Sequence, residues 1–164
     1  MGWDAISAIG QVVGAFGVIA SLLYLATQIR LDAKARRASV VHGQMEAFRE
    51  YQHMLATNGE LSDIYLRGIR DFGSLRDAEL ARCSAIFGYQ LRVLEEAHFH
   101  WTEGSLDPHF WHGFETPMKD LFAYSGMRDW WSTRCHWYNQ PFQEYVRAFV
   151  TEAGAPRLYG EDDA

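Results

Sequence analysis

Apolar side chains are distributed along this chain in two ways. Between Asp4 and Arg30 they run almost without interruption, with Ile6, Ile9, Val12, Val13, Phe16, Val18, Ile19, Leu22, Leu23, Leu25 and Ile29 and no charge among them. Beyond Arg30 they recur every three or four positions, the interval that lines up one face of an α-helix. The first pattern predicts a membrane-spanning helix. At about 1.5 Å per residue, about 20 residues cross a hydrocarbon core of about 30 Å, and this stretch exceeds that with room for tilt. The alternative is a buried helix of a soluble domain, but such helices seldom stay uncharged for so long. The second pattern predicts a bundle of amphipathic helices. No segment sustains a two-residue alternation, so the expected class is all-α.

Turn and cap residues divide the periodic part. Val41, Met45, Phe48 and Leu55, with Tyr51 beside them, mark one face of a helix from Leu31 to Ala56. Nothing between Arg30 and Val41 breaks a helix, so the span is expected to continue into it, with Gly43 a weak point and Asn58-Gly59 the stop. A short helix over Glu60 to Arg70 and a turn over Asp71 to Ser74 follow. Leu80, Cys83, Phe87, Leu91, Leu94, His98 and Trp101 give the inner face of a helix from Asp77 to Glu103, stopped by Gly104. Asp107-Pro108 is an N-cap followed by proline at the first helical position. The helix it starts carries Trp111, Phe114, Met118, Leu121 and Phe122, should bend or break at Pro117, and should close at Gly126. Helices over Met127 to Tyr138 and Pro141 to about Ala153 complete a domain spanning 31–154, the last burying Phe142, Tyr145, Val146 and Phe149. Residues 155–164, rich in Gly, Pro and Asp, are expected to form a flexible acidic tail.

The flanks orient the anchor, residues 1–30. Arg30, Lys34, Arg36 and Arg37 follow the apolar run with only Asp32 against them, whereas the opposite flank carries Asp4 and no basic side chain. Basic residues favour the cytoplasmic side, so the N-terminus is expected outside and the domain inside a bacterial inner membrane. The basic cluster suits anionic headgroups, and Trp3 suits the far interface. A cleaved signal peptide would need a basic leader and a shorter apolar core, so the segment should stay attached. Within it, Ser7, Gly10, Gly14, Gly17 and Ser21 recur at alternating spacings of three and four, and Gly10 with Gly14 forms a GxxxG pair. That places five small residues along one seam, with Val12, Phe16, Ile19, Leu23 and Ala26 opposite and suited to lipid. Glycine weakens a helix, so three on one face point to another backbone packing there.

Charge narrows the partners. The chain carries a net charge of −6, and with the basic cluster confined to 30–37 the remainder is more acidic than the total. Nucleic acid is excluded as a partner, because phosphate binding needs a basic surface. Cys83 and Cys135 are expected as free thiols in a reducing cytoplasm. Two Glu-x-x-His pairs, Glu50 with His53 and Glu95 with His98, have the spacing used by di-metal carboxylate bundles. At about 100° per residue the first pair points to solvent while His98 falls on the apolar face, so the pairs do not converge. His98 is expected as a core histidine with a hydrogen-bond partner, and Glu95 as a boundary carboxylate. His100, His109, His112 and Cys135-His136 lack zinc-site spacing, and Asp107 with His109 and His112 reads as a cap plus surface imidazoles. Adjacent Cys135 and His136 point about 100° apart, against a nucleophile and base. No phosphate loop, dinucleotide fingerprint or serine elbow occurs, so no cofactor or metal site is expected. Aromatic residues make up 15% of the chain. Their leading use is core packing, with Trp130-Trp131 on the surface or an enclosed apolar ligand as alternatives.

Trp3-Asp4-Ala5-Ile6, the Val13-Gly14-Ala15 step, and Tyr24-Leu25-Ala26 leading to Gln28-Ile29-Arg30 form a recognisable set. The chain resembles a group of uncharacterised bacterial proteins with one N-terminal membrane helix and a small helical cytoplasmic domain. Similarity extends through Glu103-Gly104, Trp130-Trp131 and Phe142 to Val146. The resemblance implies topology and a bacterial origin, and carries over no catalytic residue. The leading expectation is therefore a non-enzymatic, single-pass inner-membrane protein that self-associates or serves as a scaffold or accessory subunit. Its partners are the lipid bilayer and a second copy or a larger membrane complex. A homo-oligomeric channel lined by Ser7, Gln11, Ser21 and Gln28, and a metal-dependent enzyme using Glu95 and His98, are the alternatives.

Overall fold

A computed structural model describes residues 2–150, leaving out the side chains at 4–10, 12, 13, 15 and 149. The predicted tail, the last turn to Ala153 and the burial of Phe149 lie outside the described residues, as do the side chains of Ser7 and Gly10. The described residues form six α-helices and two 3-10 turns, with no strand. The helices are α1 (Trp3–Thr57), α2 (Gly59–Arg70), α3 (Asp77–Thr102), α4 (Pro108–Phe122), α5 (Ser125–Arg134) and α6 (Gln140–Val150). The all-α reading holds. Contacts divide the chain into two compact units, Met1–Ser39 and Val40–Ala164, and the division falls inside α1.

The first unit is the opening part of α1. It carries one helix near the N-terminus that is long and apolar enough to cross a membrane. Gly14 and Gly17 sit within it without interrupting it. The helix also passes Arg30 and Gly43 unbroken, as the absence of breakers leads one to expect.

The second unit is a bundle with its own core. Capping explains its element boundaries. Asn58 Oδ1 accepts from Leu61 N at 3.1 Å to start α2, and Asp107 Oδ1 accepts from His109 N at 2.8 Å to start α4. Gly104 takes φ +70 just past the end of α3, a left-handed conformation that glycine adopts without a Cβ penalty. Helix α2 packs on α3 and α5, α3 on α4 and α6, and α4 on α5 and α6. Trp130 is completely buried at the centre, edge-on to Phe87 at 5.7 Å, and its indole N–H donates to Ser84 Oγ at 2.8 Å. Each such ring removes on the order of 150–250 Å² from water, and at about 25 cal/mol per Å² that is several kcal/mol.

Four local expectations are corrected. Of the bend or break expected at Pro117, the break does not occur: helix α4 continues through it. Proline removes one hydrogen bond, to the Gly113 carbonyl, and its ring crowds that same peptide; with glycine at 113 the backbone accommodates it. Gly126 does not close α4, which ends at Phe122, but lies in the first turn of α5. A Cβ there would sit 2.7 Å from Phe72 N and 2.8 Å from Ile69 O, and would also strike Gly68 O. This glycine lets α5 approach the end of α2. The helix expected to run to Tyr138 stops at Arg134 and gives way to a 3-10 turn over Cys135–Trp137. On α1 the inward stripe takes Gln44, 3% exposed, where Met45 was expected; Met45 is 38% exposed.

Candidate functional site: an exposed apolar helix and a cleft in the bundle

The feature that soluble packing does not explain is the surface of α1 in the first unit. Every described side chain from Phe16 to Ser39 is exposed except a half-buried Gln28. Phe16, Val18, Ile19, Leu22, Leu23, Tyr24, Leu25, Ile29 and Leu31 are each 54–69% exposed. They lie all around the helix, and a helix apolar all around is a buried or a membrane-spanning one. The helix satisfies its own hydroxyls. Ser21 Oγ donates to the Gly17 carbonyl at 2.8 Å and Thr27 Oγ1 to the Tyr24 carbonyl at 2.6 Å, which leaves neither needing water or a second chain.

The predicted seam is described at Gly14, Gly17 and Ser21, which are exposed on this helix. A Cβ at Gly14 or Gly17 would meet nothing within 4 Å, so space stands open beside the helix there. The basic cluster Arg30, Lys34, Arg36 and Arg37 is exposed throughout, and Trp3 is 87% exposed.

In the bundle, the two Glu-x-x-His pairs part as their helical angles require. Glu50 and His53 are exposed, and Glu50 accepts from the Tyr89 hydroxyl at 3.0 Å. Glu95 and His98 are both buried, at 8% and 4% exposure. They serve different neighbours. Glu95 accepts from the Asn139 amide at 2.6 Å and pairs with Arg92 at 2.5 Å, tying α3 to the start of α6. It is thus more enclosed than a boundary residue, since the 3-10 turn brings Asn139 back over it. His98 instead enters a cage of Trp101, Trp111, Phe142 and Tyr145, with ring centroids 4.7–5.6 Å away. Burial lowers its pKa, and the nearby Glu95 charge opposes that shift. Its neighbours are rings, and the hydrogen-bond partner expected for it is absent among the described residues. Trp101 stacks on Trp111 at 5.3 Å, and the Tyr145 hydroxyl closes the cage by donating to Glu115, which also holds Lys119 at 2.6 Å.

Among the described residues no group of three or more His, Cys, Asp or Glu side chains is placed to hold a metal ion. Cys83 and Cys135 are free thiols, and burial pushes Cys83 up to about 12, well away from a reactive thiolate. Trp130 and Trp131 are both buried, at 0% and 8% exposure, while Trp137 is the half-exposed one.

The sequence reading missed a cleft of about 530 Å³ within the bundle, walled by Phe48 and Leu55 of α1, Gln90 of α3, and Gly113 and Pro117 of α4. Gln90 Oε1 is without a hydrogen-bond partner, but it is turned away from accessible space. The available signal was Gly113 and Pro117 themselves, two poor helix formers one turn apart.

Comparison with protein-family models, with curated proteins and with solved structures finds no match.

Proposed function

We propose that this chain is a single-pass membrane protein of non-enzymatic type, anchored by the apolar part of α1 and presenting its acidic helical bundle on the cytoplasmic side of a bacterial inner membrane. The observation that carries this reading is the exposure of Phe16 to Leu31 around the whole circumference of the helix. Leaving that surface in water costs about 25 cal/mol per Å², and a hydrocarbon environment removes the cost while the helix satisfies its own backbone. The basic Arg30, Lys34, Arg36 and Arg37 then lie at the cytoplasmic headgroups. The small-residue seam from Ser7 to Ser21 supports association with a second copy or a companion subunit, since it lets two backbones come close. The bundle acts as the cytoplasmic platform of that assembly.

Two measurements test the two parts. Alkaline carbonate extraction of native membranes should leave the full chain in the pellet; release into the supernatant would refute insertion. Replacing Gly14 with Leu should lower self-association in a membrane two-hybrid assay by about tenfold or more while leaving insertion intact. Unchanged association of G14L would reject the seam.

A further inference from the structure

The charges that follow the apolar part of α1 are sorted by face. At about 100° per residue, Arg30, Lys34 and Arg37 fall within an arc of about 60°, whereas Asp32 and Arg36, four positions apart, share the other side of the helix. One face therefore carries three cations and no acid, while the other balances one base with one acid. All three cationic side chains are exposed, and none has an ion-pair partner among the described residues. Acids are plentiful elsewhere: in a chain with 21 acidic against 15 basic residues, Arg67, Arg82, Arg92 and Lys119 of the bundle are each held by a carboxylate. Followed toward the N-terminus, the cationic face becomes apolar. Phe16, Ile19, Leu23 and Ala26 are exposed and lie within about 40° of Arg30. From Ile19 to Arg30 the helix rises about 16 Å, close to one leaflet of a hydrocarbon core of about 30 Å.

Resting on the insertion of α1 proposed above, we infer that this face binds an anionic phospholipid whose headgroup carries two phosphodiesters, with the phosphates on Arg30, Lys34 and Arg37 and an acyl chain along Leu23 and Ile19. Three cations on one face exceed the charge of a single phosphodiester, and a headgroup with two comes nearer to matching them. The Cα–Cβ bonds of a helix tilt toward its N-terminus, so Lys34 and Arg37 lean back toward the headgroup layer from the turns beyond it. The arginines meet phosphate oxygens through a planar fork of donors, and the lysine acts as a point charge on a flexible stem. Arg36 is kept from the site by its angle, and Asp32 on its own face opposes an anion there.

The test titrates full-length protein in a neutral detergent with single lipids and counts bound lipid by native mass spectrometry. Diphosphatidylglycerol should bind about fivefold or more tightly than phosphatidylglycerol at equal lipid phosphate, and its deacylated headgroup should not compete with it. Arg37→Gln should weaken diphosphatidylglycerol binding about fivefold, and Lys34→Gln combined with Arg37→Gln about twentyfold, the loss expected for one and for two basic residues at a membrane surface. Arg36→Gln should change it by less than about twofold. Equal binding of the two lipids, competition by the deacylated headgroup, or equal losses in R36Q and R37Q would each overturn the proposal. Carbonate extraction of the native chain keeps the two readings apart: a chain that stays in the pellet and fails these titrations loses the lipid site alone, while release into the supernatant refutes insertion and the site with it.

Discussion

His98 illustrates how far a single side chain is determined by its helical position and where neighbours take over. Its place on the apolar stripe of α3 fixes that it faces inward. What surrounds it is set by α4 and α6, which deliver Trp111, Phe142 and Tyr145 to the same point. Burial lowers its pKa below the unfolded value of about 6.5. Above that pH the imidazole is neutral in both states and the stability it confers is complete. As pH falls below about 6.5 the unfolded chain takes up the proton more readily, and stability is lost. The melting temperature of the bundle should therefore fall between pH 7.5 and pH 5.5, and His98→Phe should flatten that fall. An equal slope in H98F, read by circular dichroism, would place the pH dependence elsewhere. Gln44 shows the opposite case: helical angle alone leaves it beside Met45 as a rival for the inward position, and only the packed neighbours select it.

At the scale of helices, composition marks where elements start and stop, while their mutual approach decides what a given residue is for. Two glycines in the bundle make the point with opposite signs. Gly126 sits where α5 meets the end of α2, with backbone atoms where its Cβ would be. Gly126→Ala should destabilise the bundle by roughly 1–3 kcal/mol, the usual cost of forcing atoms into a filled contact. Gly113 faces open space on α4. Gly113→Ala should stabilise by about 0.5–1 kcal/mol, because alanine loses less backbone entropy and favours the helix. Urea denaturation of both variants checks the pair, and a common sign would contradict the placement of one of them. Gly126 looked like a helix terminator because glycine after an apolar run commonly is one. The close approach to α2 comes from a segment more than 50 residues away, which local pattern does not contain.

Over the whole chain, the units Met1–Ser39 and Val40–Ala164 differ in how they dispose of apolar surface. The second encloses it: Phe87, Leu91, Leu121, Phe122, Trp130 and Phe142 are fully buried. The first leaves it exposed. A chain beginning at Val40 should therefore remain in the supernatant after high-speed centrifugation and retain a cooperative thermal transition, whereas the full chain should require detergent. A truncated chain that aggregates or melts without cooperativity would show that the bundle depends on the part removed.

What the sequence determined by itself are several properties that depend on spacing along one helix. Those are the all-α class, the uncharged stretch before Arg30, the caps at Asn58 and Asp107, the stop at Gly104, and the outward Glu50-His53 against the inward His98. Each follows from the geometry of a single helix, which is the same in any surroundings. Tertiary structure decided the properties that need two or more helices in register: the Glu95 clamp on α6, the aromatic cage, the close contact at Gly126, the burial of Trp131, and the cleft that Gln90 shares with Gly113 and Pro117. Packing of elements distant in sequence fixes those, because which faces meet depends on the summed fit of many side chains.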